Sequence, residues 1–449
     1  MVPEEIKKLK SLIWGSSLSE GVFQRWSQGF QWSLAEKCAL VQDFGGPCAI
    51  IVPVQAFFLR RLLFDVDTFE DGLPVLSNVE FNILSDRERD MIFVETLYEI
   101  LLMMNSSVWL LCLPVCASSS QSSSGVSYCT EETGAVLSEH ENACGAFFED
   151  FHATIQFERC CKREELKEKL SKNLQYFTTQ FGVIRLLYSA IMSKSITSVE
   201  SELDNPEIPL VDSIHGHGSQ SLINLFLCGQ AVSNVFNGDC DIGGLKLRGI
   251  PSTCPIGFLT LLEKLRYCTV GDYLKRPRYP FWIVASETHL TLIFSLERRL
   301  VAPDSPLDVA HKIFDRFDPE DNGFIHNSLL PDVLSEMNLV NEPDYVQVMV
   351  ENLDPEDLGI IVRSKFFDEF FGDDDNENSM PQSFEIFHYN GLMQSSQDNI
   401  VKFRKGIARN VDWQENCGKT SDSLVESCLQ LRWPGLWITW EDGSAPSLN

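Results

Sequence analysis

QDFGGPCAIIVPVQAFFLRRLLF, residues 42–64, is the stretch on which the reading of this chain turns. Gly45-Gly46-Pro47 forms a break, and an apolar run of helical character starts at Cys48. The two glycines let the backbone turn tightly and come close to a bound chain. A cysteine at a helix start feels the positive end of the macrodipole, which favours its thiolate. Its own N–H has no partner inside the helix and is free to donate to an oxyanion. Gln42, six residues earlier, offers a second donor from its side-chain amide. Pro53 removes a helix hydrogen bond, and a kink is expected there. Taken alone, GGPC is a weak pattern, and on spacing alone a buried thiol behind a Gly-Gly-Pro turn is the commoner reading.

A thiol nucleophile needs a base, and the chain has eight histidines. His289 heads the second strand of a hairpin expected over 281–296, FWIVAS then HLTLIFSL, on one face with Thr291 and Ile293. A strand is a rigid platform for a base. His388, in FHYNGL, is a comparable candidate. His215 and His217 flank Gly216 in the loop DSIHGHGSQ (212–220), where they could line a cleft. His152 has no evident context, His140 follows a Ser-rich stretch, and His311 and His326 lie in a separate repeat.

That repeat is DPEDNGFI (318–325), which recurs as DPEDLGII (354–361). The preceding helices repeat too: Ala310, Ile313, Phe314 and Phe317 correspond to Val346, Met349, Val350 and Leu353. Leu330 and Leu334, then Phe366 and Phe370, continue into a following helix. Helix, acidic loop with Gly at the sixth position, and helix, twice, is the layout of an EF-hand pair. The twelfth loop positions are Leu329 and Lys365, where calcium needs a bidentate carboxylate. A degenerate pair that builds a small core is expected, with calcium at the first loop the weaker alternative. No cofactor and no metal is expected.

Further helices are expected at the N-terminus (Ile6, Leu9, Leu12, Ile13), over 86–104 with Met91, Val94, Leu97, Ile100 and Leu101 on one stripe, and in SLINLFLCG. A mainly helical stretch covers 160–195. LWITW (436–440) reads as a strand. Segment 117–127, ASSSQSSSGVS, reads as a mobile loop and 372–379, GDDDNENS, as an acidic linker.

The 449 residues are 44% apolar and 22% charged, a globular balance able to bury a sizeable core. The net charge of −28 disfavours nucleic acid and anionic membrane surfaces. No apolar run is long enough for a membrane span, and MVPEEIKKLK has no signal-peptide character. The nucleus and cytoplasm are the expected location, with the fourteen cysteines mostly buried thiols.

Three stretches together, QDFGGPCAIIVPVQAFFLRRLLF, HGHGSQSLINLFLCGQAVSNVF (215–236) and PFWIVASETHLTLIF (280–294), closely resemble the MINDY family of deubiquitinases. With the DPEDNGFI region, the resemblance is best to the EF-hand-bearing member. It implies an α+β fold with a papain-like cysteine protease core and an inserted, degenerate EF-hand-like helical module. The expected division is 1–303 for the first part of the core, 304–371 for the EF-hand-like pair, 372–383 for the linker, and 384–449 for strands returning to the core. By motif, the resemblance implies Cys48 as nucleophile, His289 as general base and Gln42 as oxyanion donor. The implied activity is hydrolysis of isopeptide bonds in lysine-48-linked polyubiquitin, with ubiquitin and its chains as partners. A catalytically inactive ubiquitin-binding adaptor is the competing reading. A calcium sensor would need the missing twelfth-position carboxylates.

Overall fold

The computed structural model describes residues 3–19, 21–65, 84–115, 141–302, 306–319, 322–372, 381–396, 398–410 and 423–448. The Ser-rich segment 117–127 and nearly all of the acidic stretch 372–379 lie outside them. The chain divides into two compact units, Met1–Glu297 with Ser383–Asn449, and Arg298–Gln382.

The first unit is a mixed α+β structure built on one helix and one sheet. The helix runs Cys48–Phe64 with Pro53 inside it, and every residue from Cys48 to Arg60 is buried. It is apolar all round because it is enclosed all round. It packs on the sheet and on the helices Asp86–Met104 and Gln220–Cys228. The Asp86 helix starts with a capping box, Ser85 and Glu88 exchanging bonds with each other's backbone N–H. Its inward residues include Ile92, Phe93, Val94, Leu97, Ile100 and Leu101, whereas Met91, placed by spacing on the same stripe, is exposed. Residues on both sides of that stripe are covered by neighbours, so the inward arc is wider and rotated.

The sheet has six strands in the order 436–440, 404–410, 383–389, 290–294, 281–285 and 257–260. All pairings are antiparallel except the outermost, Gly257–Thr260 beside Phe281–Ala285. The expected hairpin is present, with Ala285 opposite Leu290. Side chains alternate across it. Leu290, Leu292, Phe294, Phe387 and Tyr389 share a core cluster with the Cys48 helix. Phe281, Phe294 and Phe387 stack their rings at 5.4 and 5.1 Å across three strands.

The second unit comprises helices Pro306–Phe317, Leu330–Glu336, Pro343–Leu353 and Arg363–Phe371. The two loops pair as a short antiparallel ladder, with Ile325 opposite Ile361. Phe314, Ile325, Leu330, Leu334, Leu353, Ile361 and Phe366 form its core. Each loop closes on its first aspartate. Asp318 accepts from the N–H groups of Asn322 and Gly323, both at 2.8 Å. Asp354 accepts from Leu358 at 2.8 Å and Gly359 at 2.7 Å. Charge-assisted bonds to buried carboxylates make these loops self-supporting. Asp318→Ala should therefore lower the stability of this unit by about 2 kcal/mol in denaturant unfolding. Calorimetric titration should show no micromolar calcium binding, because neither Leu329 nor Lys365 can supply the bidentate ligand.

Candidate functional site

Cys48 is the first residue of its helix, behind Pro47 as N-cap. Its side chain is 4% exposed, and Sγ lies 3.7 Å from the Gly46 carbonyl oxygen, to which the thiol donates. Burial pushes the thiol up to about 11, against the opposing pull of the backbone N–H groups of Leu290, Ala49 and Cys48 itself. The backbone N–H groups at the helix start lower the thiol pKa, but desolvation is larger. At neutral pH the free protein holds a thiol, not a thiolate.

The turn before Cys48 needs its glycine. Gly46 has φ of 129°, and a Cβ there would stand 2.9 Å from Trp26 Nε1 and 3.1 Å from the Gly216 carbonyl oxygen. Trp26 Nε1 donates to that same oxygen at 2.9 Å. A Cβ on Gly218 would lie 2.4 Å from that of Ala49. The HGHG loop is thus seated directly on the start of the Cys48 helix.

His289 closes the hairpin turn. Its N–H donates to Ser286 Oγ at 3.0 Å, and its carbonyl oxygen accepts from the Ser286 N–H at 3.0 Å. The ring is buried, and Nε2 lies 2.9 Å from Asn390 Oδ1. That oxygen also accepts from the Leu392 N–H at 3.0 Å, which identifies it as the acceptor end of the amide. Nε2 therefore carries the hydrogen, and Nδ1 is left as the basic nitrogen. Burial lowers the His289 pKa, the Asn390 bond raises it, and the nearby charge of His217 lowers it again.

Gln42 is wholly buried. Nε2 donates to the Phe44 carbonyl oxygen at 2.8 Å, while Oε1 is enclosed without a hydrogen-bond partner. The segment that carries it is tied on both sides. Gln55, from the Cys48 helix, donates to the Cys38 carbonyl at 2.8 Å and accepts from the Leu40 N–H at 2.6 Å. Opposite, the Tyr389 hydroxyl donates to the Leu40 carbonyl at 2.7 Å and the Gln42 N–H to the Gly391 carbonyl at 2.8 Å. Gln42 and Asn390 thus stand on segments bonded to each other. Cys48 reaches the same corner through the Leu290 N–H. No hydrogen bond among the described residues joins Cys48 to His289.

Among the other histidines, His217 stands near enough for its charge to act on His289 and its ring stacks with that of His215 at 6.2 Å, whereas His140 lies outside the described residues. His388 is buried on the sheet face with a pKa pushed down to about 3, by burial first and then by the charges of Arg404 and His289. His152 sits between the Phe148 carbonyl at 2.6 Å and the Tyr188 hydroxyl at 2.7 Å, a packing role. His311 stacks on Phe367, and His326 bonds Ser328. Asn390 was not singled out from the sequence, although it lies two residues after His388 in the same FHYNGL motif.

Residues 10–310 match the family model described as deubiquitinating enzyme MINDY-3/4, conserved domain. The chain belongs to that family of deubiquitinating enzymes. It is 41% identical to ubiquitin carboxyl-terminal hydrolase MINDY-3 of Homo sapiens, over 99% of this chain and 100% of that one. It is 38% identical to the MINDY-3 homolog of Drosophila melanogaster, over 99% of this chain and 83% of that one. The probable ubiquitin carboxyl-terminal hydrolase MINDY-4 of Homo sapiens is 32% identical, over 66% of this chain and 37% of that one. No solved structure matches the chain.

Two measurements check this geometry. Iodoacetamide should modify Cys48 slowly at pH 7, with a rate rising about tenfold per pH unit toward the thiol pKa of about 11. A plateau near pH 7 would mean a free thiolate. Gly46→Ala should lower the melting temperature and cost about 1–3 kcal/mol, because the new methyl group meets Trp26 and the backbone is left-handed.

Proposed function

We propose that this chain is a papain-like thiol hydrolase that cuts isopeptide bonds in lysine-48-linked polyubiquitin. The observation that carries the reading is the His289–Asn390 pair. It leaves Nδ1 unprotonated at the strand end that adjoins the first turn of the Cys48 helix. The linkage and the ubiquitin substrate come from the family and from the motifs that match it.

In this mechanism a bound ubiquitin C-terminus brings Cys48 and His289 together, and Nδ1 takes the thiol proton. The raised thiol pKa makes that transfer conditional on the imidazolium forming beside it. The thiolate attacks the isopeptide carbonyl carbon. The Cys48 N–H and the Gln42 amide hold the oxyanion. Gln42 Nε2 has two hydrogens, one engaged by Phe44, and the other is the donor. His289 returns the proton to the departing lysine amine, and water then releases the ubiquitin carboxylate from the thioester. Asn390 keeps the imidazole in the right tautomer, as the orienting residue does in such triads. The 304–371 segment reads as a degenerate EF-hand-like module with an interaction role.

A second reading, a non-catalytic ubiquitin-binding adaptor, draws on the protonated Cys48 and its lack of a bond to His289. A ubiquitin probe with a C-terminal electrophile decides between them. Labelling of the wild type and none of Cys48→Ala supports the hydrolase, whereas ubiquitin binding with no labelling leaves the adaptor. Against a panel of defined linkages, the lysine-48 chain should be cut fastest, and equal cutting of all linkages would overturn the specificity. His289→Ala should nearly abolish turnover, while changes at His311 or His326 should leave it unaltered. Gln42→Ala should cut kcat by about 100-fold with little change in ubiquitin binding. Gln42→Glu should be worse, since a carboxylate repels the developing charge. Near wild-type turnover in Gln42→Ala would pass the oxyanion role to backbone groups alone.

A further inference from the structure

Asn390 does its work only if its amide keeps one orientation. A flipped amide would present N–H to His289 Nε2 and force the hydrogen onto Nδ1, the nitrogen that must be basic. Two bonds oppose the flip. One is the Leu392 N–H on Oδ1 at 3.0 Å, local to the chain turn. The other comes from far along the sequence, where Asn390 Nδ2 donates to the Ser447 carbonyl oxygen at 3.4 Å.

The segment around Ser447 is itself held down. Pro446 and Leu448 are buried, Leu448 with 2% of its surface exposed. Arg404, across the sheet from His388, donates through Nη2 to Asp442 Oδ1 at 2.6 Å and to the backbone carbonyl and hydroxyl of Ser444. Beside this segment lies a cavity of about 470 Å³, lined by His388, Asn390, Arg404 and Ser444–Ser447 among others. Asn390 lines this cavity, and its NH2 end donates there to the Ser447 carbonyl.

We propose that Ser444–Leu448, pinned by Arg404 and Leu448, is a strap that positions Asn390 and, through it, the His289 imidazole. Arg404, Leu448 and the Ser447 carbonyl are positioning groups that act through Asn390 without touching substrate. The inference rests on the hydrolase reading and adds to it a requirement for a segment 158 residues beyond the base.

The test uses the full chain and four proteins besides the wild type: Arg404→Gln, Leu448→Ala, Asn390→Ala, and Asn390→Ala combined with Arg404→Gln. Steady-state cleavage of lysine-48-linked ubiquitin chains is read alongside a melting curve. The strap predicts that Arg404→Gln and Leu448→Ala each lower kcat about tenfold, the effect of one hydrogen bond, with KM unchanged. It also predicts that Arg404→Gln has no further effect on kcat once Asn390 is alanine, because its effect passes through that amide. Should Leu448→Ala fail to fold, Arg404→Gln carries the test, since its side chain is partly exposed and glutamine keeps its polarity. Wild-type-like kcat in the strap variants, or the same fractional loss with and without Asn390, overturns the strap while leaving the hydrolase intact. Absence of wild-type cleavage overturns both.

Discussion

The structure of the first unit depends on enclosing one helix. From Cys48 to Arg60 the helix is out of water on every side, including the polar Gln55 and the charged Arg60. Burial of so many apolar side chains is a large driving term. The two polar exceptions both have partners, although Arg60 Nε is enclosed without one. Gln55 bonds the backbone of Cys38 and Leu40. Arg60 is paired with Asp65 at 3.2 Å and with Glu99 of the neighbouring helix. Left unpaired in that interior, either would be strongly destabilising. Enclosure thus does two things at once. It builds the core and it places the first turn of the helix, with Cys48, at the end of the sheet.

The same enclosure sets the chemistry of the thiol. A reactive cysteine is usually pictured in an electropositive, partly open setting that lowers its pKa. Here burial outweighs the helix start, and the thiol is pushed up to about 11. Such a group is inert toward casual nucleophilic reactions and becomes useful only beside a base. The proposed base, His289, stands on the other element. His289 has its tautomer set by Asn390, and its own burial lowers its pKa. In the proposed mechanism Cys48 and His289 are brought together when substrate binds, the sort of step by which an active site is completed on closure.

The polar bonds around the site join distant parts of the chain. Tyr389 to Leu40, Gln42 to Gly391, and Asn390 to His289 and to Ser447 span separations from 57 to 349 residues. The segment Arg298–Gln382 interrupts the chain between His289 and Asn390 as a unit with its own core. Its repeat was evident in the sequence because its periodicity is local: the matched i, i+3, i+4, i+7 faces became the matched helices Pro306–Phe317 and Pro343–Leu353.

What the sequence determined by itself was whatever short-range pattern encodes. The break at Gly45-Gly46-Pro47 and the apolar run after it place a helix start at Cys48, the alternation on either side of SETH specifies a hairpin, and the long motifs identify the family. Pro53 lies inside the helix, which continues beyond it to Phe64, because packing on all sides offsets one lost hydrogen bond. Tertiary structure alone decided the protonation of Cys48, since burial depends on which elements close over it and not on its neighbours in sequence. It also decided which side chain orients His289. FHYNGL contains a histidine and an asparagine within three residues, and nothing local distinguishes them. The pleat of the 383–389 strand and its register against 290–294 bury His388 on the sheet face and set Asn390 just past the strand end, 2.9 Å from the imidazole.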